Sequence, residues 1–323
     1  MTKREYVKSA IQHCSTDRVP YLIDFCSDAW ESLKAVSEDV SRLYDNYVYG
    51  VGPPWWGWHQ LASDWQGMES PKSKATVMGS GNYDNFANSI KEASDRTGKY
   101  ILVMIYGSHF EKAYFSRGIQ NFLADMAGEP DFARKLLTKI VDKNMVMLEN
   151  FLSIPEIDGV LLGSDWGSQR GLLMSPDVWE DMIAPGEHRE YDLVHSYGKD
   201  VWVHSCGCID VIIPRLVEMG LDVLNPVQPE CMDIQKLKED YGDKLSFWGG
   251  ISTQDTLPYG TPEEVKKEAR RVRDIMAKNG GYVLAPSQSI QGDVPVDNIL
   301  ALLEVANEAI QTFFSKEILI KEN

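Results

Sequence analysis

The run Val201-Trp202-Val203-His204-Ser205-Cys206-Gly207 is apolar and β-branched, then ends in an imidazole, a thiol and a glycine. His204 and Cys206 are two residues apart, so on an extended strand both project to one side. Where the strand opens into a loop, two such donors can converge on one point. They can then hold a transition metal, most often zinc. The competing reading is a half-buried strand end whose His and Cys only pack.

Other polar residues close apolar runs in the same way. Asp24 ends the first run and Tyr106 the third, with Ser108 and His109 beyond it. Asp165 and Gln169 follow the fourth, Asn225, Gln228 and Glu230 the sixth, and Gln288 and Gln291 the eighth. Each has a plain structural alternative. Asp165 suits a helix N-cap or a turn. Asn225 and the glutamines can satisfy loop backbone, and Glu230 can be a solvated carboxylate. Polar groups at nearly every strand end are harder to explain by packing alone. Trp55, Trp56 and Trp58 form an aromatic cluster that either packs an insertion or walls a substrate pocket, where Trp56 would make contact.

The elements that must carry these residues alternate. Strands are expected at 19–25, 100–106, 159–163, 200–204, 223–225, 245–248 and 281–285, with a weaker one near 47–51. Helices are expected at 27–44, 86–97, 118–126, 130–152, 176–197, 209–219, 234–241 and 261–278. Ser175-Pro176 and Thr261-Pro262 pair a cap residue with proline at the first helical position. Repeated strand–helix units mean a parallel sheet, and about eight of them point to a (β/α)8 TIM barrel. No G-x-G-x-x-G follows the first strand, which weakens a dinucleotide-binding alternative. Residues 52–82 break the rhythm and read as an irregular insertion after the first βα unit. We read residues 1–323 as one barrel domain. In such barrels chemistry sits at the C-terminal strand ends, where the polar residues fall.

The chain has 323 residues and a net charge of -16. That charge repels phosphate backbones and excludes nucleic acid as a partner class. No apolar run approaches the roughly 20 residues of a membrane span. The start at Met1-Thr2-Lys3-Arg4 lacks a signal-peptide core, and five cysteines form no disulfide framework. A cytoplasmic enzyme is expected.

Several segments carry a resemblance. They are 3–7 (KREYV) with 17–21 (DRVPY), 167–176 (GSQRGLLMSP), 204–207 (HSCG), 247–251 (FWGGI), 260–265 (GTPEEV) and 281–286 (GYVLAP). With these the chain resembles the uroporphyrinogen decarboxylase superfamily over most of its length. The resemblance implies the barrel and two activities. The decarboxylase uses no metal and holds a polycarboxylate with an arginine-rich first loop. Here that segment reads Tyr21-Leu22-Ile23-Asp24-Phe25-Cys26-Ser27-Asp28, acidic where arginines belong. The other branch moves methyl groups to or from a corrinoid protein. It uses zinc held by a His-x-Cys, here His204 and Cys206, and a third ligand in the last loop, often Cys. Gln288 stands at that position, so a carboxylate is the expected replacement, with Glu230 as the third ligand. Alternatively zinc is absent, and His204 and Gln288 bind substrate directly.

The resemblance therefore implies a corrinoid-dependent methyltransferase acting between a corrinoid protein and a small methoxy or methylamine compound or carrier. The corrinoid would arrive on a separate protein, because no Asp-x-His-x-x-Gly occurs here. Asp165 and His204 would be catalytic, Asp165 by orienting a ligand or donating a proton. Asp24, Trp56, Tyr106, Gln169, Asn225, Gln228 and Gln288 would bind substrate. A homodimer is one option for assembly. The alternatives are a metal-free decarboxylase or lyase of a small acid, and a non-catalytic ligand-binding paralogue.

Overall fold

The computed structural model describes residues 1–36, 40–54, 83, 85–105 and 107–310. Trp55, Trp56, Trp58 and Tyr106 lie outside them.

Seven parallel strands follow in spatial order: β1 (Val48–Val51), β2 (Tyr100–Ile105), β3 (Gly159–Gly163), β4 (Asp200–His204), β5 (Val223–Val227), β6 (Ser246–Ile251) and β7 (Tyr282–Pro286). Their β-branched and aliphatic runs suit a sheet buried on both faces. Every residue of β3, β5, β6 and β7 is buried. The eighth stave is the segment from Tyr21 to Phe25, bridged in parallel to β7 at Tyr21–Leu284 and to the chain just after it at Phe25–Ile290. On its other side the Tyr47 amide donates to the Tyr21 carbonyl at 3.0 Å, and Ile23 N–H donates to the buried Asn46 side chain at 2.9 Å. A side-chain amide thus replaces part of a ladder, which closes the (β/α)8 barrel without a regular first strand.

Aromatic rings fill the barrel interior. Trp202 meets Tyr100 at 5.6 Å and Trp248 at 5.8 Å between ring centroids. Their polar tips are satisfied: Trp202 Nε1 donates to Tyr100 Oη, and Trp248 Nε1 donates to the Leu22 carbonyl at 2.9 Å. Gly159 makes room for this, since a Cβ there would lie 2.4 Å from Tyr100 Oη. At the N-terminal end Arg4 and Lys8 each reach buried Asp158 at 2.8 Å and dock the helix Lys3–Ile11.

Several helical expectations change; the stretch 209–219, for one, is a 3-10 turn at Asp210–Ile212 and a helix at Ile213–Glu218. The stretch 176–197 is two helices, Pro176–Met182 and Ala184–Ser196, because Pro185 cannot donate within a continuing helix. Within 27–44 the described residues hold the helix Ser27–Val36 and a 3-10 turn at Val40–Arg42. A helix at His109–Arg117, not expected from the sequence, begins directly after β2. Its inner face carries His109 and Lys112 beside Phe110 and Ala113, so polar residues interrupt the apolar stripe. No helix among the described residues is long and apolar enough to cross a membrane.

Candidate active site at the barrel mouth

The C-terminal strand ends enclose a cavity of about 420 Å³ lined by Leu22, Asp24, Glu111, Asp165, His204, Asn225, Trp248 and Gln288, among others. Strand ends place His204 and Asn225, and the loops just beyond strands place Asp165 and Gln288. The His204 carbonyl accepts from Ser164 N–H at 2.8 Å, and the Asn225 carbonyl accepts from Ser205 N–H at 2.7 Å. Beyond β3, Gly167–Ser168 pairs with Gly171–Leu172 in a short hairpin. This hairpin packs on the Cys206 loop, where Cys208 N–H donates to the Ser168 carbonyl at 2.8 Å. Gly207 has φ +86, and a Cβ there would sit 2.6 Å from that carbonyl. Only glycine meets both conditions.

The hydrogen bonds fix the His204 tautomer. Asn225 Nδ2 donates to the Trp248 carbonyl at 3.0 Å, so Asn225 Oδ1 faces His204 Nδ1 at 2.5 Å and accepts its proton. His204 Nε2 then presents a lone pair, 3.3 Å from Cys206 Sγ and 3.7 Å from Asp165 Oδ1. Asp165 Oδ1 also accepts the Cys206 backbone N–H at 2.8 Å, which holds the carboxylate over the thiol. The donor atoms of Asp165, His204 and Cys206 all lie within 4.8 Å of one another. Gln288 Nε2 donates to Cys206 Sγ at 2.9 Å. Burial, then the neighbouring Asp165 charge, pushes the Cys206 thiol up to about 12, against the pull of the Gln288 amide. A bound cation would reverse that balance and favour thiolate. One nitrogen, one sulfur and one carboxylate beside an open cavity fit a catalytic zinc site of three protein ligands.

Of the residues expected from sequence, the structure brings Asp24, Asp165, His204, Asn225 and Gln288 to the cavity. Cys206 joins the donor cluster. Glu230 does not: it is exposed and accepts from Ser252 Oγ at 2.5 Å, and the carboxylate at the cluster is Asp165. Gln228 is buried, and its Oε1 accepts Gly207 N–H at 3.1 Å, so it braces the Cys206 loop. Gln169 is exposed on the hairpin turn and does not line the cavity. Ser108 and His109 are fully buried, bonded to Glu190 and the Ile183 carbonyl.

Sequence reasoning missed Glu111. It reaches the cavity from the helix His109–Arg117, and Tyr114 Oη donates to it at 3.0 Å. Burial first, then Asp165, raises its pKa; burial alone raises that of Asp24. Behind this wall, fully buried Lys112 donates to the Gly107 carbonyl, and burial holds its ammonium down to about 8. Glu190, held by Ser108 at 2.9 Å and Asn144 at 2.8 Å, supplies a nearby negative charge. These buried groups fix the turn from Gly107 to Glu111. Among the described residues, no lysine or arginine lines the cavity.

Residues 47–309 match the uroporphyrinogen decarboxylase (URO-D) family. The chain belongs to the uroporphyrinogen decarboxylase family. Within that family its relatives differ in activity. It is 29% identical over 136 residues to a methylcobamide:CoM methyltransferase, MtaA, of Methanosarcina barkeri, covering 42% of this chain and 38% of that protein. It is 23% identical over 206 residues to the uroporphyrinogen decarboxylase of Chlorobaculum parvum, covering 60% of this chain and 54% of that one. These matches span roughly a third to a half of the relatives' lengths. A solved methyltransferase from Methanosarcina mazei superposes with a TM-score of 0.70 at 18% identity, over 95% of this chain and 98% of that one. It shares the family barrel.

Proposed function

We propose that this URO-D family member is a corrinoid-dependent methyltransferase. It moves a methyl group between a small methoxy or methylamine compound, or a carrier, and the cobalt of a corrinoid held by a separate protein. The observation that carries this reading is the Asp165–His204–Cys206 cluster, with its Nε2 lone pair set by Asn225, beside an open cavity. The methyltransferase relatives support the same branch. Porphyrinogen decarboxylation is disfavoured, because among the described residues a polycarboxylate would meet carboxylates and no cationic side chain in this cavity.

Asp165, His204 and Cys206 would hold zinc, which as a Lewis acid lowers the charge that builds on an oxygen, nitrogen or sulfur when its bond to methyl breaks or forms. The chain's own groups do the positioning. Asn225 keeps the Nδ1 proton on His204 and aims Nε2 at the cluster, as partners of metal-bound histidines do. Gln288 donates to Cys206 Sγ and steadies a thiolate there. Trp248 and Leu22 give the cavity an apolar wall that admits methyl groups and limits water. The test is zinc stoichiometry of the purified chain and of Asp165→Asn, His204→Ala and Cys206→Ser, together with methyl transfer to a reduced corrinoid. Near one zinc per chain, lost with Cys206→Ser, supports the reading; an absence of saturable zinc binding contradicts it.

A further inference from the structure

Two cavity carboxylates have no part in this account, and together they describe the substrate. Asp24 comes from the first barrel segment and Glu111 from the helix after β2, and both line the same cavity as His204. The Asp24 carboxylate has no hydrogen bond or ion pair to any described residue, and burial raises its pKa. Glu111 is held by Tyr114 alone among described side chains. The neighbouring cation, Lys112, is fully buried behind the wall and bonded to the Gly107 carbonyl, and its one charge is shared among Glu190, Glu111 and Glu187. Zinc would be balanced by the Cys206 thiolate and Asp165, which leaves Asp24 without a counter-charge among the described residues and Glu111 with only a share of the buried Lys112 charge. Leu22, Phe115, Trp248 and Pro286 give the cavity apolar and aromatic wall, and its other described polar lining, Asn225, Ser287, Gln288 and Ser289, is uncharged.

We propose that Asp24 and Glu111 select an organic cation, a methylated ammonium compound, as the small molecule this cavity takes. The inference rests on the reading of this cavity as the substrate site, and it chooses the amine over the methoxy class. A methylated ammonium offers no N–H at its methylated faces. It is held by charge and by contact with aromatic rings, which is what this wall provides. A neutral methoxy compound would leave the desolvated Asp24 carboxylate uncompensated, and an anion would be repelled by both acids.

The experiment is calorimetric titration of the zinc-loaded full chain with choline and with 3,3-dimethyl-1-butanol, its neutral isostere. Choline should bind at least about tenfold more tightly than the isostere. Asp24→Asn and Glu111→Gln should each lower choline affinity by about tenfold and leave isostere affinity unchanged, which also reports that the variants are folded. Glu230→Gln, an acid outside the cavity, should change neither. Equal affinity for the two probes, no saturable choline binding, or variants that leave the ratio unaltered would overturn the proposal. Its fate is separable from that of the methyl-transfer reading. Choline that binds while no methylated donor of any class is turned over sinks methyl transfer and leaves the selectivity standing. Turnover of a neutral methoxy compound without choline binding does the reverse.

Discussion

Asn225 Oδ1 lies 2.5 Å from His204 Nδ1, while the Asn225 amide nitrogen donates to the Trp248 carbonyl. That pair of bonds decides which nitrogen of His204 faces Cys206. Asn225→Ala removes the acceptor and frees the ring. It should weaken zinc binding by about 10- to 100-fold, the usual effect of losing such a partner. Competition against a chromophoric chelator measures it, with circular dichroism to confirm that the barrel is intact.

Asp165 and Glu230 make opposite predictions. Asp165→Asn removes the carboxylate within 3.7 Å of His204 Nε2 and should lower zinc affinity strongly. Glu230→Gln touches only the bond to Ser252 and should leave zinc affinity unchanged. The same competition assay ranks the two, and a reversed order would return the third-ligand role to Glu230.

Zinc affinity should rise with pH. Burial and Asp165 push the metal-free Cys206 thiol up to about 12, so metal must displace its proton across the neutral range. Affinity should therefore increase about tenfold per pH unit between about pH 7 and about pH 9, with one proton released from this thiol per metal bound. Cys206→Ser should remove that slope. The check is metal competition at several pH values, with proton release followed by an indicator.

Gly207→Ala tests how the Cys206 loop is held. Its φ of +86 and the 2.6 Å approach to the Ser168 carbonyl leave no place for a Cβ. The substitution should cost about 1–3 kcal/mol of stability and reduce zinc affinity, because the loop must move off the hairpin. Chemical denaturation and zinc competition on the same preparation read both effects.

The barrel was legible because its strands are short apolar runs separated by helical periods, and even the weak stretch near 47–51 forms β1. The first stave was legible as an apolar run, but its ladder is completed by the Asn46 side chain, which no local pattern announces. His204 and Cys206 stood out because their spacing alone puts them on one side of a strand. The choice between Asp165 and Glu230 was not legible. It depends on the hairpin after β3 packing on the Cys206 loop, a contact some 40 residues apart in sequence (Asp165 to Cys206). Glu111 stayed hidden because its helix buries His109 and Lys112, so the amphipathic signal was broken by the polar groups that fix the cavity wall. Gln228 read as a substrate ligand, yet a buried loop amide at Gly207 claims it.

The most direct test of corrinoid-linked methyl transfer is the absorbance of a cobalt(I) corrinoid mixed with the zinc-loaded chain and a panel of methylated amines and methoxy compounds. The account predicts conversion of cobalt(I) to methylcobalt with at least one methylated donor. It also predicts that His204→Ala and Cys206→Ser abolish the conversion while the barrel stays folded. A cobalt(I) spectrum that stays unchanged with every donor, alongside carboxylate loss from a small acid that survives Cys206→Ser, would contradict it.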